Sequence, residues 1–578
     1  MNIKTLAPDI SVSPQLTPQD VGLAAAQGFR AIIINRPDGE SDDQPGHELI
    51  AEAAQRHGLE VCYIPIVPGQ LSDADVAMFA EALHEMPAPA LAFCRTGTRS
   101  ATLWALTQAG HLSVDAILKT TSSAGYDLAA LRPRLEARDK SADAGIGRVP
   151  THDVLIIGAG AAGISVASSL LKRRPGLDIA IIDPRTDHYY QPGWTLVGGG
   201  VFKREDTVRA MDGLIPKGVK WIPAACARFK PDRNEVVLED GTAIGYRALI
   251  AAPGLKLDWD AIEGLKESLG RNGVTSNYRF DMAPYTWDLV QSVGSGRALF
   301  TQPPMPIKCA GAPQKAMYLA CDAWRRRGVL KNIDVSFHNA GAVLFGVKDY
   351  VPALMEYVKK YNIDLNFNET LVAVDGPAKK ALFEIKDASG NVRREEKTFD
   401  MLHVCPPQVG LDFIRNSPLA NSTGWIDVNA ETLQHTKYGN IFSLGDAAST
   451  PNAKTAAAVR KQAPVCAHNV LCVIDGKAPT AVYNGYGSCP LTVERGKIVL
   501  AEFAYGGKLD PSVPKWMLDG TKPTRAAWFL KEKMLPAIYF DMMLKGTETL
   551  ARPTILPHRP AEHEAQPALS NKATSKVA

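Results

Sequence analysis

The sequence predicts an α/β chain of several domains, in which a small α/β domain precedes a much larger one. Near the start, short apolar runs such as 31–34 and 90–93 alternate with helical stretches such as 73–84, which is typical of βα units. From His152 to about Asp510, strands, glycine turns and helices continue in the same rhythm. A chain of 578 residues is too long for one hydrophobic core, so we expect roughly two to four domains.

Composition and charge exclude several classes of protein. The formal net charge is only +3 and no basic stripe stands out, so no nucleic-acid partner is expected. Nine cysteines at irregular spacings form neither a disulfide scaffold nor a zinc site, and we predict no metal. Residues 1–10 lack the basic and apolar regions of a secretory signal, and no run of about eighteen uncharged apolar residues is available to span a bilayer. These features predict a protein kept in the reducing cytoplasm.

Changes in composition predict the domain boundaries. Residues 1–131 form the small α/β domain and residues 151–515 the large one. Between them, residues 132–150 (RPRLEARDKSADAGIGRVP) are polar and charged without an apolar face, as in a linker. Residues 522–546 are apolar and basic, whereas residues 552–578 carry little apolar material and are expected to be disordered.

A glycine fingerprint begins the large domain. An apolar strand leads into a turn and then a helix, and the turn residues are Gly158, Gly160, Ala161, Ala162 and Gly163. The first glycine permits a tight turn, the second lets the backbone approach a pyrophosphate, and the third lets the helix pack on the strand. The helix N-terminus offers unpaired amides to the phosphates, and Asp183, at the end of the next strand, is placed to bond a ribose hydroxyl. The full strand–turn–helix context indicates a dinucleotide site rather than a chance match.

Two later segments decide between NAD and FAD as the ligand. The segment that ends at Gly254 resembles the strand-and-glycine element of two-dinucleotide flavoproteins. The segment around Gly445 and Asp446 resembles their distal FAD motif, in which the aspartate meets the ribityl chain. A second role for Asp446 is the cap of a helix that begins at Ala447. Three motifs in the right order predict FAD and a flavoprotein with two dinucleotide-binding domains.

The second dinucleotide fold lacks its fingerprint. Where relatives that use NAD(P)H carry glycines after a mid-chain strand, residues 302–315 read QPPMPIKCAGAPQK. Prolines remove amide donors, and no Gly-x-Gly-x-x-Gly remains to bind a pyrophosphate. Cys309 lies there instead, ahead of a helix and between Lys308 and Lys315, which should lower the pKa of its thiol. We predict a nucleophilic cysteine; the alternative is a buried loop cysteine.

Four segments of the large domain form a common pattern: residues 188–198 (HYYQPGWTLVG), 307–315 (IKCAGAPQK), 453–459 (AKTAAAV) and 485–491 (GYGSCPL). Together they resemble the sulfide:quinone oxidoreductases, particularly the mitochondrial-type branch. The resemblance implies that Cys309 and Cys489 are a redox pair and that a quinone accepts the electrons. It also implies that Asp183, Gln191 and Lys454 are neighbours of FAD.

This resemblance covers roughly residues 151–546 and implies a reaction. Sulfide attacks the Cys309–Cys489 disulfide and leaves a persulfide on Cys489, and two electrons pass to FAD and then to a quinone. A small sulfur acceptor such as glutathione, sulfite or another thiol clears the persulfide. A third cysteine known in other branches has no match; Cys226 falls beside the adenine half of FAD, where its backbone lines the pocket and its thiol is structural. The alternatives are an NADH:quinone oxidoreductase, which needs an NADH site, and a non-catalytic sulfur-relay scaffold.

Residues 522–546 (KPTRAAWFLKEKMLPAIYFDMMLKG) combine large apolar and aromatic groups with dispersed basic ones. This composition suits a helix pair that lies in the membrane interface and is split near Pro536. The alternative is an ordinary core helix. Because a quinone lives in the bilayer and the family that the chain resembles attaches in this way, we expect peripheral attachment to a membrane surface, on its cytoplasmic face.

The small domain holds a second candidate thiol in residues 93–100 (FCRTGTRS), between a buried strand and a helix. Backbone amides of such a loop point at one anion, while the helix dipole and Arg99 stabilise a Cys94 thiolate. A protein-phosphatase loop needs five residues between cysteine and arginine; here there are four, which matches a six-residue rhodanese loop. With residues 10–17 (ISVSPQLT) and 34–40 (INRPDGE), the domain resembles the phosphatase-fold family of beta-lactamase-hydrolase-like sulfur transferases. We expect Cys94 to carry sulfane sulfur; the alternative is a protein phosphatase.

Overall fold

The computed structural model describes residues 1–109, 112–143 and 149–556, and the chain divides into two compact units, Met1–Val149 and Pro150–Ala578. The N-terminal unit is one sheet between two layers of helices. Its strands β1 to β5 are Lys4–Ala7, Ile10–Ser13, Ala31–Ile34, Glu60–Tyr63 and Ala90–Phe93. Its helices α1 to α6 are Pro18–Ala26, His47–Arg56, Asp73–Glu85, Thr98–Thr107, Val114–Ser123 and Arg132–Asp143. The strand order is β1-β2-β5-β3-β4, parallel except for β1.

Successive side chains of the central strand β3 fill the two cores of this unit. Ile33 packs with residues of α3, α4, α5 and α6, whereas Ile32 and Ile34 pack with residues of α1 and α2. All four residues of β3 are buried, as expected of a parallel strand covered on both faces. The unbroken apolar run in the sequence therefore reflects two cores rather than one.

The prediction of an irregular linker is wrong where helix α6 forms. Leu135 is fully buried in the core of the N-terminal unit. Arg134 and Arg138 both donate to the Asp73 carboxylate, at 2.8 and 2.7 Å. A third ion pair joins Arg132 to Asp115 at 2.7 Å. Because one buried leucine and ion pairs with other elements hold this helix, its sequence shows no apolar stripe. Residues 144–148 of the expected linker lie outside the described residues.

The second unit contains two parallel sheets and several antiparallel strands. Strands β6 to β14 are Thr151–Ile157, Ile179–Ile182, Asp187–Tyr189, Val208–Ala210, Val219–Ile222, Cys226–Lys230, Glu235–Leu238, Ala243–Ala251 and Lys256–Leu257. Strands β15 to β23 are Val274–Thr275, Gly296–Gln302, Ile333–Asn339, Asp364–Phe367, Glu369–Asp375, Lys380–Lys386, Val392–Thr398, Met401–His403 and Gln408–Val409. Strands β24 to β28 are Ile441–Ser443, Ala481–Val482, Gly487–Glu494, Lys497–Phe503 and Thr554–Ile555. Helices α7 to α16 are Ala161–Arg173, Trp194–Val197, Leu265–Ser268, Ala283–Ser292, Ala312–Arg326, Val351–Tyr361, Asp412–Arg415, Ala456–Ile474, Arg525–Phe529 and Leu535–Ala537.

Each parallel sheet is built as a dinucleotide-binding domain. In the first sheet β10-β7-β6-β13 are parallel, β24 pairs with β13, and antiparallel β12 and β11 complete the edge. In the second sheet β15-β22-β16-β17-β18 are all parallel. Helix α7 joins β6 to β7 and helix α11 joins β16 to β17, the crossovers that parallel strands require. The predicted fold class, two dinucleotide-binding domains behind a small α/β domain, is confirmed.

The C-terminal segment is helical from Arg525 to Met543, with wider π-turns at Leu530–Met534 and Ile538–Met543. The predicted break near Pro536 is wrong, because the widened turns absorb the missing amide and the bulk of the proline ring. The tail expected to be disordered begins with β28, which pairs with β25, and residues 557–578 lie outside the described residues. No helix in the described part of the chain is long and apolar enough to cross a membrane.

We expect Leu135→Ala to lower the free energy of unfolding of the N-terminal unit by about 2–5 kcal/mol, the usual cost of truncating a buried leucine. Leu23→Ala is the control, because Leu23 is 54% exposed and its loss should change stability by less than about 0.5 kcal/mol. Hydrogen exchange of peptides from β5 and α4 in the full chain, followed by mass spectrometry, measures the difference. Equal protection in the two variants would contradict the place of α6 in this unit.

Candidate active site

The glycine fingerprint forms a turn between β6 and α7 that tolerates no side chain at two positions. Gly158 has a φ of +97°, and a Cβ there would lie 2.5 Å from the Ala252 carbonyl oxygen. A Cβ on Gly163 would lie 1.8 Å from the Gly158 oxygen, so the third glycine lets α7 pack on the turn. Nothing lies within 4 Å of the corresponding point on Gly160. Helix α7 begins at Ala161, so its unpaired N-terminal amides follow this open backbone directly.

The three predicted FAD motifs meet at this turn. The residue after β13, Ala252, contacts the turn at Gly158, and Gly254 follows it with a φ of +84°. From the distal motif, a Cβ on Gly445 would lie 3.1 Å from the Cβ of Ala162. Segments that lie far apart in the sequence therefore come together at the carboxyl ends of β6 and β13, where dinucleotides bind in this type of sheet.

Asp183 follows β7 and has a fully hydrogen-bonded carboxylate. It accepts from the backbone N–H of Ala159 at 2.8 Å and from Nε and Nη2 of Arg185 at 3.0 and 2.8 Å. Burial would raise its pKa, but Arg185 and the Ala159 amide hold the pKa below its usual value. An ionised carboxylate is thereby fixed against the fingerprint turn.

The distal motif presents a carboxylate without a hydrogen bond among the described residues. Asp446 lies in the 3-10 turn Gly445–Ala447, and burial raises the pKa of its carboxyl group. Lys454 donates from Nζ to the backbone oxygens of Asp446 and Ala448, each at 2.8 Å, and burial lowers its pKa to about 8. The helix-cap role considered for Asp446 is wrong, because α14 starts further along the chain behind its own cap, Thr455.

This set of groups fits FAD. A glycine turn at a helix N-terminus suits a pyrophosphate, an ionised acid after the second strand suits a ribose, and the unpartnered carboxylate suits a further hydroxyl. Gln191, in the 3-10 turn Gln191–Gly193, accepts from Lys308 Nζ. Cys226 lies on β11 in a core behind the first sheet, and burial raises the pKa of its thiol to about 12. That thiol packs as an apolar group, and a contact of its backbone with adenine stays a prediction.

Two cysteines from distant parts of the chain meet beside the second sheet. Cys309 lies on the loop between β16 and α11, and Cys489 lies on β26. Their Sγ atoms are 3.6 Å apart. Strand β26 reaches this position because Leu491 and Val493, further along it, pack in the same core as α11. The two thiols therefore stand as the reduced form of a cysteine pair, each within reach of the other.

The loop that carries Cys309 is held in an unfavourable backbone conformation. Cys309 has a φ of +51°, which costs a non-glycine residue roughly 1–2 kcal/mol. Its N–H donates to the Lys454 oxygen at 2.9 Å, and its carbonyl accepts from the Ala312 N–H at 2.7 Å. A Cβ on Gly311 would lie 2.6 Å from Cys489 Sγ, so glycine makes room for the second sulfur. The two backbone hydrogen bonds of Cys309 offset the free-energy cost of its positive φ.

Lys315 makes Cys309 the more acidic thiol of the pair. Its Nζ, on the first turn of α11, lies 3.0 Å from Cys309 Sγ. The hydrogen bond with Cys489 and the charge of Lys315 hold the pKa of Cys309 well below its usual value, against the effect of burial. The same hydrogen bond, burial and the neighbouring negative charge raise the pKa of Cys489. Lys308, the other cation expected to act on Cys309, donates to Gln191 instead.

Lys531 is a site residue that sequence reasoning missed. Its side chain is buried, and its Nζ makes one hydrogen bond within the part of the chain that the structure describes, to the Pro192 oxygen at 3.3 Å. Burial and the charge of Lys315 lower its pKa to about 7. Ala527, four positions earlier on the same helical face, is also buried. The sequence signal for Lys531 is its spacing of four from Ala527, which places both on one helical face. That signal is too weak to distinguish Lys531 from the other lysines of the segment.

The N-terminal unit has a thiol site of its own. Cys94 is fully buried at the end of β5, and the Gly97 N–H donates to its Sγ at 3.1 Å. Gly97 has a φ of +90°, and a Cβ on it would lie 2.2 Å from the Tyr126 hydroxyl. Only glycine fits there. The loop therefore presents a backbone amide to the sulfur at the start of α4.

Arg99 does not bond to Cys94 in the structure. It donates from Nη1 to the Ile66 oxygen at 2.6 Å and from Nη2 to Glu40 at 2.8 Å. Glu40 also accepts from Arg36 at 2.7 Å, and the hydrogen bond from Arg99 holds the pKa of Glu40 below its usual value. The stabilisation of a Cys94 thiolate by Arg99 stays a prediction, because here the charge of Arg99 faces a carboxylate.

If the N-terminal unit were a phosphatase, Asp38 would be a candidate general acid; the alternative is a turn residue before Gly39. In the structure Asp38 bonds to a histidine. Its carboxylate accepts from the His47 backbone N–H at 2.8 Å and contacts the His47 ring. Burial would raise its pKa, but these contacts hold the pKa below its usual value. A general acid needs a raised pKa, so the environment of Asp38 does not favour that role.

Two dinucleotide folds, with a cysteine pair where the second would bind NAD(P)H, define a flavoprotein oxidoreductase of the disulfide-reductase class. The Pyridine nucleotide-disulphide oxidoreductase family model matches residues 152–463, more than half of the chain. A mitochondrial sulfide:quinone oxidoreductase of Dictyostelium discoideum is 43% identical over 396 residues, which cover 68% of this chain and 86% of that protein. The chain therefore belongs to the sulfide:quinone oxidoreductase family. The structure of the sulfide:quinone oxidoreductase from Aquifex aeolicus shares the fold, with 21% identity, 68% of this chain and 92% of that chain covered, and a TM-score of 0.56.

The N-terminal unit has relatives of its own. The family model of the phosphatase-like domain of Beta-lactamase hydrolase-like protein matches residues 2–111. The Beta-lactamase hydrolase-like protein of Xylella fastidiosa is 31% identical over 130 residues, which cover 22% of this chain and 30% of that protein. The predicted fusion of this type of domain to a sulfide:quinone oxidoreductase is confirmed.

We expect Lys315→Met to raise the pKa of Cys309, because the variant removes the cation that contacts the thiolate. Alkylation of the reduced holoenzyme by iodoacetamide should reach half its maximal rate at a pH higher by about 1–3 units, the usual effect of an adjacent opposite charge. Lys331→Met, which removes an exposed lysine, is the control and should leave the profile unchanged. An unshifted profile for Lys315→Met would show that another group sets the acidity of Cys309.

Proposed function

We propose that the second unit binds FAD, oxidises sulfide through the Cys309–Cys489 pair and delivers the electrons to a membrane quinone. The observation that supports this most directly is the 3.6 Å separation of the two Sγ atoms with the Lys315 Nζ 3.0 Å from one of them. Such an arrangement assigns the two sulfurs different roles. A thiolate stabilised by a lysine is a good leaving group, and its partner is the sulfur that a nucleophile attacks.

The first step is a thiol–disulfide exchange. Hydrosulfide attacks the Cys489 sulfur of the disulfide, a new S–S bond forms as the old one breaks, and Cys309 leaves as a thiolate beside Lys315. The product is a persulfide on Cys489. Attack at this end is favoured because a thiol of lower pKa leaves faster, and the pKa of Cys309 is the lowered one.

The second step transfers the outer sulfur to a small acceptor such as glutathione, sulfite or another thiol. The acceptor bonds to the outer sulfur, and the Cys489 sulfur leaves and takes a proton. Re-forming the disulfide from the dithiol then releases two electrons and two protons. FAD, when bound, accepts this electron pair and yields it to the quinone. Lys531, whose pKa is about 7, is able to hold or release a proton at Nζ during this cycle.

We expect Cys309→Ser and Cys489→Ser each to lower sulfide-dependent quinone reduction by roughly 10³-fold or more, because neither variant forms the disulfide that sulfide attacks. Cys472→Ser, at a partly buried cysteine on α14, is the control. The flavin absorbance of anaerobic protein is followed after addition of sulfide or of NADH.

Bleaching by sulfide but not by NADH in the unsubstituted protein supports the proposal. Turnover retained in both cysteine variants would refute it. Bleaching by NADH alone would identify an NADH:quinone oxidoreductase, and bleaching by neither compound would favour a sulfur-relay scaffold.

We further propose that the N-terminal unit is a sulfurtransferase in which Cys94 carries sulfane sulfur as a persulfide. The support is the buried thiol that accepts a hydrogen bond from the Gly97 amide in a loop at a helix N-terminus. A persulfide at Cys94 passes its outer sulfur to a thiol by the same exchange chemistry, with Cys94 as the leaving thiolate.

We expect Cys94→Ser to abolish thiosulfate:cyanide sulfur transfer, measured in the Cys309→Ser background so that the second unit does not contribute. Cys62→Ser, at another cysteine of the same unit, is the control and should retain the activity. Release of phosphate from an aryl phosphate, without sulfur transfer, would show that the unit is a phosphatase.

Peripheral attachment to a membrane is the remaining part of the proposal. Phe529 and Met534 in the C-terminal helical segment are 58% and 45% exposed, whereas Tyr539 and Met543 are buried against the first dinucleotide domain. Tyr539 and Met543 thus anchor the segment to the protein, whereas Phe529 and Met534 present apolar side chains to solvent. A membrane-bound quinone needs such an approach. A cytoplasmic location stays a prediction.

A further inference from the structure

The turn Pro514–Leu518, which joins the β26–β27 hairpin to α15, projects two large apolar side chains. Trp516 is 84% exposed and Met517 is 60% exposed. The Met517 N–H donates to the Pro514 oxygen at 2.9 Å, so the turn is closed by its own backbone. Single exposed apolar residues are common on proteins, but an adjacent tryptophan and methionine at the tip of a turn form a patch that water solvates poorly.

Both ends of this turn are fixed to the protein. On the N-terminal side, the Ser512 hydroxyl and N–H bond to the Glu502 carboxylate at 2.5 and 3.2 Å. On the C-terminal side, Leu518 packs with Ile498. A Cβ on Gly520 would lie 2.4 Å from the Leu500 oxygen, so the chain runs tight against β27. Trp516 is therefore exposed on a turn whose two ends are fixed to the protein.

The turn adjoins the C-terminal helical segment. Leu518 shares one apolar cluster with Ala527, Trp528 and Leu530 of that segment. The exposed side chains Phe529 and Met534 belong to the same segment. The turn and the helical segment that follows it therefore both present large apolar side chains to solvent.

The charges around the turn are those that anionic lipid headgroups attract. Lys515 and Lys522 each have side chains 75% exposed, and Lys533 is 61% exposed. Asp519, the acid between the first two, is 19% exposed and lies 3.8 and 3.9 Å from their Nζ atoms. Exposed lysines beside aromatic and methionine side chains match the boundary between headgroups and acyl chains, where the apolar part enters and the ammonium groups stay at the surface.

We propose that Pro514–Leu518 is a second membrane-inserting element, in which Trp516 and Met517 enter the boundary region of a bilayer that carries anionic headgroups. The proposal rests on the membrane attachment proposed above and extends it beyond residues 522–546. Attachment through two fixed elements, rather than one helical segment, sets the orientation of the protein on the membrane. It holds Lys531, which belongs to the same helical segment, at a constant position relative to the lipid.

The test is co-sedimentation of the FAD-loaded full chain with vesicles of phosphatidylcholine that contain phosphatidylglycerol. The turn variant is Trp516→Ala with Met517→Ser. The control is Val343→Ser with Val392→Ser, because these valines are 60% and 59% exposed elsewhere on the unit. The helix variant is Phe529→Ser with Met534→Ser. We expect the turn variant to bind vesicles at least about tenfold more weakly than the unsubstituted protein. Its rate of reduction of a water-soluble quinone should be unchanged. The control should bind as the unsubstituted protein does.

The outcomes separate the proposals. If the turn variant binds as tightly as the control while the helix variant does not, the turn is not a membrane element, and attachment through the helical segment stands. If all variants bind equally, or no protein binds, the membrane proposal itself fails. Sedimentation equilibrium without lipid tests whether the patch binds a second copy of the chain instead of a membrane. Self-association that the turn variant loses would assign the patch to that contact.

Tryptophan fluorescence gives an independent readout in the same samples. Quenching by brominated lipid should fall in Trp516→Phe, which keeps an aromatic anchor and should still bind. Binding by Trp516→Phe with quenching equal to that of the unsubstituted protein would place Trp516 outside the bilayer and overturn the proposal.

Discussion

A buried thiolate is stable only with a cation or hydrogen-bond donors at contact distance, because burial otherwise favours the neutral thiol. The cysteines of the second unit illustrate the rule. Burial raises the pKa of Cys226 and Cys405 to about 12, whereas the pKa of Cys309 is lowered. The difference is the hydrogen bond between Cys309 and Cys489, together with the Lys315 ammonium 3.0 Å from the Cys309 sulfur. The geometry of the loop before α11, of the helix itself and of strand β26 serves this contact.

The contact between Lys315 and Cys309 explains why the second dinucleotide fold lacks the glycine fingerprint. In a fold of this type the turn before the helix is occupied by glycines whose amides face a pyrophosphate. Here that turn carries Cys309 at a positive φ, and the helix that follows directs a lysine at it rather than free amides at a ligand. Gly311 is kept free of a side chain for the Cys489 sulfur and not for a phosphate. One turn cannot serve both purposes.

The parts that the sequence predicted well are those that depend on local chain geometry. The fingerprint turn, Asp183 and the strand–helix order follow from short-range spacing, and so does the placing of Lys315, six positions beyond Cys309 on the first turn of α11. Lys308 shows the limit of that reasoning, because it is closer to Cys309 in sequence and yet bonds to Gln191. The direction of a side chain on an irregular loop depends on contacts that spacing does not encode.

Long-range contacts explain two of the differences between the sequence-based predictions and the structure. The sequence does not reveal helix α6, because Asp73, which binds two of its arginines, lies about sixty positions away. It does not reveal Lys531, because the neighbour Pro192 lies 339 positions away in the sequence. The error on Asp446 is local, because the sequence does not show that its turn ends before the next helix begins.

The N-terminal thiol lies in different surroundings. At Cys94 a backbone amide contacts the sulfur, and the nearby arginine is engaged by Glu40. A phosphate dianion needs a surplus of positive charge, and a carboxylate on Arg99 reduces it. A thiolate or a persulfide carries a single charge and needs less. The electrostatics of this loop therefore favour the proposed exchange of sulfur over the binding of a phosphate ester.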